Sequence, residues 1–211
     1  NNKGWSKHKQ YSIPDKLRAT AKMYWCFGVS REIRWEKKCR KYNRTAKILT
    51  WDPTPLSQLT VDQANHGGYM IEHTNKAYDK ESGKIRKFYA IDDTKKCYQL
   101  DRPENSYDEI EVETINLKTI AEQHGRDVDV IKLDIEGRWH EMLTEILDLG
   151  LAPKIVLVEC EMYIGDHDAQ FLKLDSMVER YQKTGFTVLT NRQTNEECVE
   201  LCFLKYKDAI L

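Results

Sequence analysis

Two apolar segments of the sequence each end in a pair of acids. The first, "VIKLDIEG", carries Asp134 and Glu136, and the second, "KIVLVECE", carries Glu159 and Glu161. Carboxylates gathered in one place repel one another unless they are paired, protonated, hydrogen-bonded or bridged by a cation. The acids are therefore expected to act as a general base, to bind an acceptor hydroxyl, or to ligate Mg²⁺ or another divalent cation. Helix capping or solvent exposure is the alternative for Glu136 and Glu161.

The proposed metal ligands are Asp134, Glu136 and Glu159. Lys132, which lies inside the first segment, is expected to alternate out of the apolar strand.

Histidines near these acids are the other candidate proton acceptors. His140 follows Trp139 early in a predicted helix, and a second histidine lies in the run "DHD" at 166–168. Imidazole titrates near neutral pH, so His140 is a candidate general base, with a solvent-facing position as the alternative. Asp166 is expected to cap the helix that follows it.

A glycine turn and an isolated acid indicate a second site. The first predicted strand ends in "CFGVS", where Gly28 permits close approach of a ligand and Ser30 is expected to cap the next helix. Asp52 ends the second strand, and an acid at this place accepts hydrogen bonds from ribose hydroxyls. Together they predict a nucleoside-type cofactor, and an ordinary turn is the alternative at each position.

The elements that must position these residues alternate between strand and helix. Parallel strands need crossover connections, so the alternation predicts an α/β fold with a seven-stranded, mostly parallel, doubly wound sheet. The last two strands flank the turn "QTNEE" and predict a C-terminal antiparallel hairpin. The main predicted strands cover 21–28, 46–53, 68–77, 109–115, 128–134 and 154–161. The predicted helices cover about 31–42, 56–65, 116–125, the residues after Gly137, and 166–183.

The composition is that of one globular domain. The 211 residues are 40% hydrophobic and 32% charged, and no apolar run is long enough to span a membrane. We expect an N-terminal extension over 1–20 and a single domain over 21–211. The sequence starts without an initiator Met, so a targeting segment would lie upstream of it, and the cytoplasm is the favoured compartment.

Charge is unevenly distributed along the chain. Residues 1–100 hold 21 Lys and Arg against 10 Asp and Glu, whereas residues 101–211 hold 12 against 24. The basic run from Arg31 to Lys47 is interpreted as a solvated helix face, with a nucleic-acid-binding patch as the alternative. The six cysteines form no CxxC pair, which indicates reduced thiols.

Several of these motifs resemble a known family. The segment from "VETINLKTIAEQHG" to "VIKLDIEGRWHEML", followed by "KIVLVECE", is similar to the core of the FkbM-type methyltransferases. "NKAYDKESGKIRKFYA" resembles a segment further upstream in that family, and "FGVSREIRWEKKC" with "ILTWDPTP" resembles its methyltransferase-like branch. The resemblance covers roughly residues 21–161. It implies a class I (Rossmann-like) fold that uses S-adenosyl-L-methionine to methylate a hydroxyl of a small molecule or glycan.

The resemblance also implies roles for individual positions. The residues at the amino-acid end of the cofactor would be Phe27, Gly28, Val29 and Ser30. Asp52 would bind the ribose, and Asn75 and Ala77 would lie on the adenine side. Asp134 and Glu136 would lie beside the transferred methyl group, with Glu159 as the acid of the fifth strand.

The sequence departs from the family pattern in two places. Arg138 and Trp139 follow Gly137 where many members carry a further helix acid, and the first motif has a single glycine. These departures make a non-catalytic binding module of the same fold one alternative. A nucleic-acid methyltransferase that uses the basic helix is another. An NAD-type dehydrogenase is disfavoured because the GxGxxG motif is absent. The acceptor and the oligomeric state have no sequence motif.

Overall fold

A computed structural model describes residues 5–7, 11–90, 98–100, 102, 106–163, 166–193 and 198–205. These residues form six helices and thirteen strands. The helices are α1 (Asp15–Thr20), α2 (Arg34–Tyr42), α3 (Pro55–His66), α4 (Leu117–His124), α5 (Trp139–Asp148) and α6 (His167–Lys183). The strands are β1 (Trp5–Lys7), β2 (Ser12–Pro14), β3 (Met23–Phe27), β4 (Lys47–Trp51), β5 (Glu72–Thr74), β6 (Ala77–Tyr78), β7 (Ile85–Ala90), β8 (Tyr98–Gln99), β9 (Glu109–Ile115), β10 (Val130–Leu133), β11 (Ile155–Glu161), β12 (Thr187–Gln193) and β13 (Cys198–Leu204).

The main sheet has seven strands in the order β12-β13-β11-β10-β3-β4-β5. Six of them run in the same direction, and β13 lies antiparallel between β11 and β12. The predicted fold class and the predicted C-terminal hairpin are therefore confirmed. The order reverses between β3 and β10, and ligands of doubly wound sheets bind outside the carboxyl ends of the strands at such a point.

The central strands of this sheet are apolar at nearly every position. Both faces of the sheet are therefore buried. Ile131 and Leu133 face one core, which α4, α5 and α6 complete. Val130 faces the other core, to which α2 and α3 contribute. The alternation along β10 places Lys132 on the same face as Val130.

Part of the predicted N-terminal extension packs into that second core. Tyr11, Ile13 and Leu17 are each at most 1% exposed and belong to the same cluster as Val130. The segment 11–20 therefore covers the face of the sheet on which α2 lies.

A second sheet, in the order β6-β9-β7-β8, is inserted between β5 and α4. It has a small core of its own, which includes Phe88 and Tyr98. Strand β9 matches the predicted range 109–115, whereas the predicted strand 68–77 is reduced to the three residues of β5.

The start of α2 differs from the prediction. Ser30 does not cap a helix: it lies in the left-handed region with φ +44°, and the helix begins at Arg34 after Ile33. The turn before α2 is longer than predicted because its backbone amides donate hydrogen bonds to a side chain of a neighbouring strand, as described below. Asp166, in contrast, caps α6 as predicted, since its carboxylate accepts hydrogen bonds from the amides of Asp168 and Ala169.

Two further expectations concern membrane-spanning helices and the state of the cysteines. In the part that the structure describes, no helix has the length and apolar character that a bilayer span requires. The five cysteines in this part are free thiols, and Cys97 lies outside it.

Candidate functional site

A cavity of about 220 Å³ lies at the carboxyl ends of β3, β4 and β10, where the strand order reverses. Its wall combines the glycine turn, the acids of two strand ends, and aromatic side chains from α2, the N-terminal segment and the second sheet. The predicted site residues in this wall are Phe27, Gly28, Val29, Ser30, Asp52, Ala77, Asp134 and Glu136.

Gly28 joins the turn after β3 to the end of β10. Its φ is +79°, and a Cβ added there would lie 1.7 Å from the carbonyl oxygen of Asp134. The amide of Asp134 donates to the carbonyl of Phe27 at 3.0 Å, which holds the two strand ends in register. Close packing against β10 therefore requires a glycine here, whether or not a ligand approaches the turn.

Asp52 organises the same turn from β4. Its Oδ2 accepts hydrogen bonds from the amides of Val29 at 2.6 Å and Ser30 at 2.7 Å, and its Oδ1 accepts one from Thr54 at 2.7 Å. The residue is 4% exposed. These bonds account for the left-handed conformation of Ser30, because they draw both amides of the turn towards β4.

Lys132 does not reach solvent, although it alternates away from the first core. Its Nζ lies 3.0 Å from Oε1 of Glu36, 3.1 Å from the carbonyl oxygen of Gly28 and 3.7 Å from Oδ2 of Asp134. Burial lowers the pKa of Lys132, but the charges of Glu36 and Asp134 raise it above its usual value. A buried ammonium thus lies directly behind the turn and the acid.

The acids of β10 and β11 converge as predicted. Burial raises the pKa of Asp134, and it raises the pKa of Glu159 to about 7 with help from the charges of Asp134 and Glu136. The hydroxyl of Tyr11 donates to Glu159 at 3.4 Å, and that of Tyr163 donates to Glu136 at 2.6 Å. Hydrogen bonds and raised pKa values therefore relieve the repulsion among these carboxylates.

Glu161 shares in the same arrangement. It is 2% exposed, accepts a hydrogen bond from the amide of Gly137 at 3.1 Å, and has a pKa raised well above its usual value by burial and by Glu136. It stabilises the turn before α5 and does not face solvent.

A divalent cation is not supported by this geometry. Within the ranges described, no three or more His, Cys, Asp or Glu side chains are grouped so that they could hold a metal ion. The predicted ligands Asp134, Glu136 and Glu159 lie near one another, but Glu136 and Glu159 bind tyrosine hydroxyls.

Three predicted site residues lie outside the cavity wall: Glu159, His140 and Asn75. His140 packs edge-on against Trp139, and its pKa is lowered by burial and by the charge of Lys173 on α6, so it faces the helix layer. The Oδ1 of Asn75 lies 2.8 Å from Nε2 of His73. Lys76 and Ala77 line the wall instead.

Several residues in the wall were not predicted as site residues. Tyr11 precedes the segment that carries the motifs, and Phe88 and Tyr98 belong to the inserted sheet. The burial of Trp35 could have been predicted, because Trp35 lies four residues before the buried Cys39 and therefore on the same face of α2. The other three reach the site only through tertiary contacts.

The basic run has a partly structural role. Arg40 donates to the backbone carbonyls of Ala46, Tyr69 and Met70, and Lys37 lies 4.7 Å from the centre of the Tyr69 ring. These contacts hold α2 against the loop before β5.

Comparison with known proteins identifies a family for this chain. Residues 23–186 match the methyltransferase FkbM domain, and no curated protein matches the sequence. Among solved structures, cofactor-bound Rv0187 from MTB has a TM-score of 0.50 and 10% identity, with 92% of this chain and 79% of that chain covered.

Two other structures show a similar degree of likeness. A METTL16 MTase domain in its second crystal form has a TM-score of 0.51 and 12% identity over 92% of this chain and 65% of that chain. A fibrillarin/Nop5p complex has a TM-score of 0.52 and 9% identity over 88% of this chain and 73% of that chain. At these identities the comparisons establish the class I methyltransferase fold.

Proposed function

The chain belongs to the FkbM family of methyltransferase domains, and from this premise we propose that it transfers the methyl group of S-adenosylmethionine to a hydroxyl of a small molecule or glycan. One observation carries the proposal. The cavity at the switch point combines a glycine turn, the strand-end acid Asp52 and a group of acids around Asp134.

The residues of the wall fit the cofactor. The turn from Phe27 to Ser30 would hold its amino-acid end. Asp52 already accepts three amide hydrogen bonds, and a carboxylate with acceptor capacity left would bind a ribose hydroxyl. Ala77 and the aromatic rings of Phe88 and Tyr98 would form an apolar surface for the adenine.

The bound cofactor supplies an electrophilic methyl group, and the chain supplies alignment and a proton acceptor. An acceptor hydroxyl bound in the cavity would take this methyl group, and S-adenosylhomocysteine would be the leaving group. The hydroxyl proton passes to a carboxylate. Asp134 is one candidate because it lines the cavity, and Glu159, which does not line it, is the other because its pKa is raised to about 7, near the pH at which a general base is most effective.

Cofactor binding and methyl transfer test the proposal separately. We expect S-adenosylhomocysteine to raise the thermal unfolding temperature, and labelled methyl groups to pass from S-adenosylmethionine to components of a small-molecule or glycan extract. Binding without transfer to any acceptor class would favour a non-catalytic binding module. Transfer to RNA alone would favour a nucleic-acid methyltransferase, and a parallel reaction in EDTA tests the divalent cation. No shift at millimolar S-adenosylhomocysteine would overturn the enzyme assignment.

A further inference from the structure

The buried ion pair between Lys132 and Glu36 connects three parts of the candidate site. Lys132 lies on β10, Glu36 on α2, and their side chains are 4% and 0% exposed. The ammonium also contacts the carbonyl of Gly28 at 3.1 Å and the carboxylate of Asp134 at 3.7 Å. One cation therefore links the turn, the helix after it and the acid at the end of β10.

Such a pair is costly to bury. Removing two charges from water is repaid only by good geometry and additional hydrogen bonds, and apolar side chains of similar volume often stabilise a protein as well. Here Oε2 of Glu36 is buried and has no hydrogen-bond partner among the described atoms. Stability alone therefore gives a weak reason for the pair at this position.

We propose that Lys132 and Glu36 are positioning residues for the cofactor. The inference rests on the S-adenosylmethionine site proposed above. Nζ of Lys132 fixes the carbonyl of the Gly28 turn, and Glu36 cancels the charge of the ammonium. The Lys132–Glu36 pair then has no net charge, so a negative charge on Asp134 would be available to a bound sulfonium.

The charge balance supports the role of Glu36. Without its carboxylate, the ammonium 3.7 Å from Oδ2 would neutralise Asp134. S-adenosylmethionine carries a positive sulfonium, whereas the sulfur of S-adenosylhomocysteine is neutral. The ratio of the two affinities therefore reports the charge at this end of the cavity, and a purely structural role would change both affinities equally.

The first variant removes the charge and keeps the shape. In Glu36→Gln the amide oxygen can still accept from Lys132, and the amide nitrogen takes the position of the unpartnered Oε2. We expect the affinity for S-adenosylmethionine to fall about threefold to tenfold relative to that for S-adenosylhomocysteine, because the variant loses one negative charge at this end of the cavity.

The second variant separates positioning from charge. Lys132→Met combined with Glu36→Gln replaces the pair by neutral side chains, so the net charge equals that of the wild type. We expect both ligands to bind about fivefold more weakly because the Gly28 carbonyl loses its donor, with the affinity ratio close to the wild-type ratio.

Lys154→Met is the matched control. Lys154 forms an ion pair with Asp129 at 2.6 Å, at the amino end of the same sheet and away from the cavity. Lys154→Met should leave the affinities for S-adenosylmethionine and S-adenosylhomocysteine unchanged. Calorimetry with S-adenosylmethionine and S-adenosylhomocysteine gives the affinities, and circular dichroism verifies that each variant is folded.

Equal weakening of both ligands in Glu36→Gln, or a ratio that moves in favour of S-adenosylmethionine, would overturn the proposal. So would wild-type affinity for S-adenosylhomocysteine in the double variant. If the double variant does not fold, the ratio in Glu36→Gln alone decides. Failure of the wild type to bind either ligand would instead reject the proposed function.

Discussion

Asp52 holds the turn of the candidate cofactor site through three backbone amides. Asp52→Ala would leave the buried amides of Val29 and Thr54, and that of Ser30, without their acceptor. Each unsatisfied buried group costs about 1–3 kcal/mol, so we expect a clear loss of unfolding free energy. We also expect S-adenosylhomocysteine to bind about tenfold more weakly or worse, since about 1.4 kcal/mol corresponds to a factor of ten.

Urea unfolding and calorimetry measure these two effects. Asp62→Ala is the control, because Asp62 is exposed on α3 and its Oδ1 accepts from the side chain of Gln58. That change should alter the unfolding free energy by no more than about 0.5 kcal/mol. An equally small effect in Asp52→Ala would show that the turn keeps its conformation without the carboxylate.

Glu159 makes stability depend on pH. Burial and the charges of Asp134 and Glu136 raise its pKa to about 7 in the folded protein, whereas a Glu in an unfolded chain titrates near about 4.3. The folded state therefore binds the extra proton between these values. Its contribution to stability is present below the unfolded pKa and is lost as the pH rises through about 7.

Glu159→Gln should remove this dependence. We expect the variant to gain roughly 2 kcal/mol of unfolding free energy relative to the wild type between pH 4.5 and pH 8, because the amide takes up no proton. Urea unfolding at these two pH values gives the difference. If the variant and the wild type differ in unfolding free energy by the same amount at both pH values, Glu159 titrates normally in the folded protein.

The contact between the turn after β3 and the end of β10 depends on Gly28. A Cβ there would lie 1.7 Å from the carbonyl oxygen of Asp134. We expect Gly28→Ala to separate the strand ends, to abolish measurable binding of S-adenosylhomocysteine, and to lower the unfolding free energy by more than the roughly 1–2 kcal/mol of left-handed strain alone.

Gly125→Ala isolates that strain. Gly125 ends α4 with φ +85°, and a Cβ there meets nothing within 4 Å. With ψ 169° its backbone lies in a region that essentially only glycine occupies, so the control should lose about 1–3 kcal/mol and keep its affinity for the cofactor. Equal stability losses in the two variants, measured by urea unfolding, would show that β10 moves aside without cost.

Elements with a local signal were predicted well from the sequence. Period-two alternation gave β9, and the apolar spacing over 116–125 with Gly125 as its stop gave α4, which the side chain of Asn116 caps in the structure. The start of α2 was predicted three residues too early, because the conformation of Ser30 depends on the distant carboxylate of Asp52. Element ends that depend on tertiary contacts have no such signal.

At the scale of the whole molecule, topology located the site. The rule that ligands bind at the switch point placed the acids and the glycine turn together before any contact was known. The pairing of Lys132 with Glu36 was missed, since a lysine in a strand is expected to alternate to solvent. The aromatic wall was missed as well, because Tyr11 precedes the segment that carries the motifs, and the motif that contains Phe88 does not mark it as a site residue.

The N-terminal segment is the part of the molecule whose importance the family match understates. That match begins at residue 23, yet Ile13 and Leu17 are buried in the second core. We expect Leu17→Ala to lower the unfolding free energy by about 2–5 kcal/mol, as for other fully buried leucines. Leu172→Ala is the control, because Leu172 is 72% exposed on α6 and should change it by about 0.5 kcal/mol or less.

Deletion of residues 1–20 tests the same contact as a whole. The shortened chain loses the buried side chains of Tyr11, Ile13 and Leu17, and Tyr11 also lines the cavity. We therefore expect a loss of unfolding free energy larger than that of Leu17→Ala, together with weaker binding of S-adenosylhomocysteine. Urea unfolding and calorimetry measure both quantities. A chain from 21 to 211 with wild-type stability and affinity would show that the segment lies on a domain that is already complete.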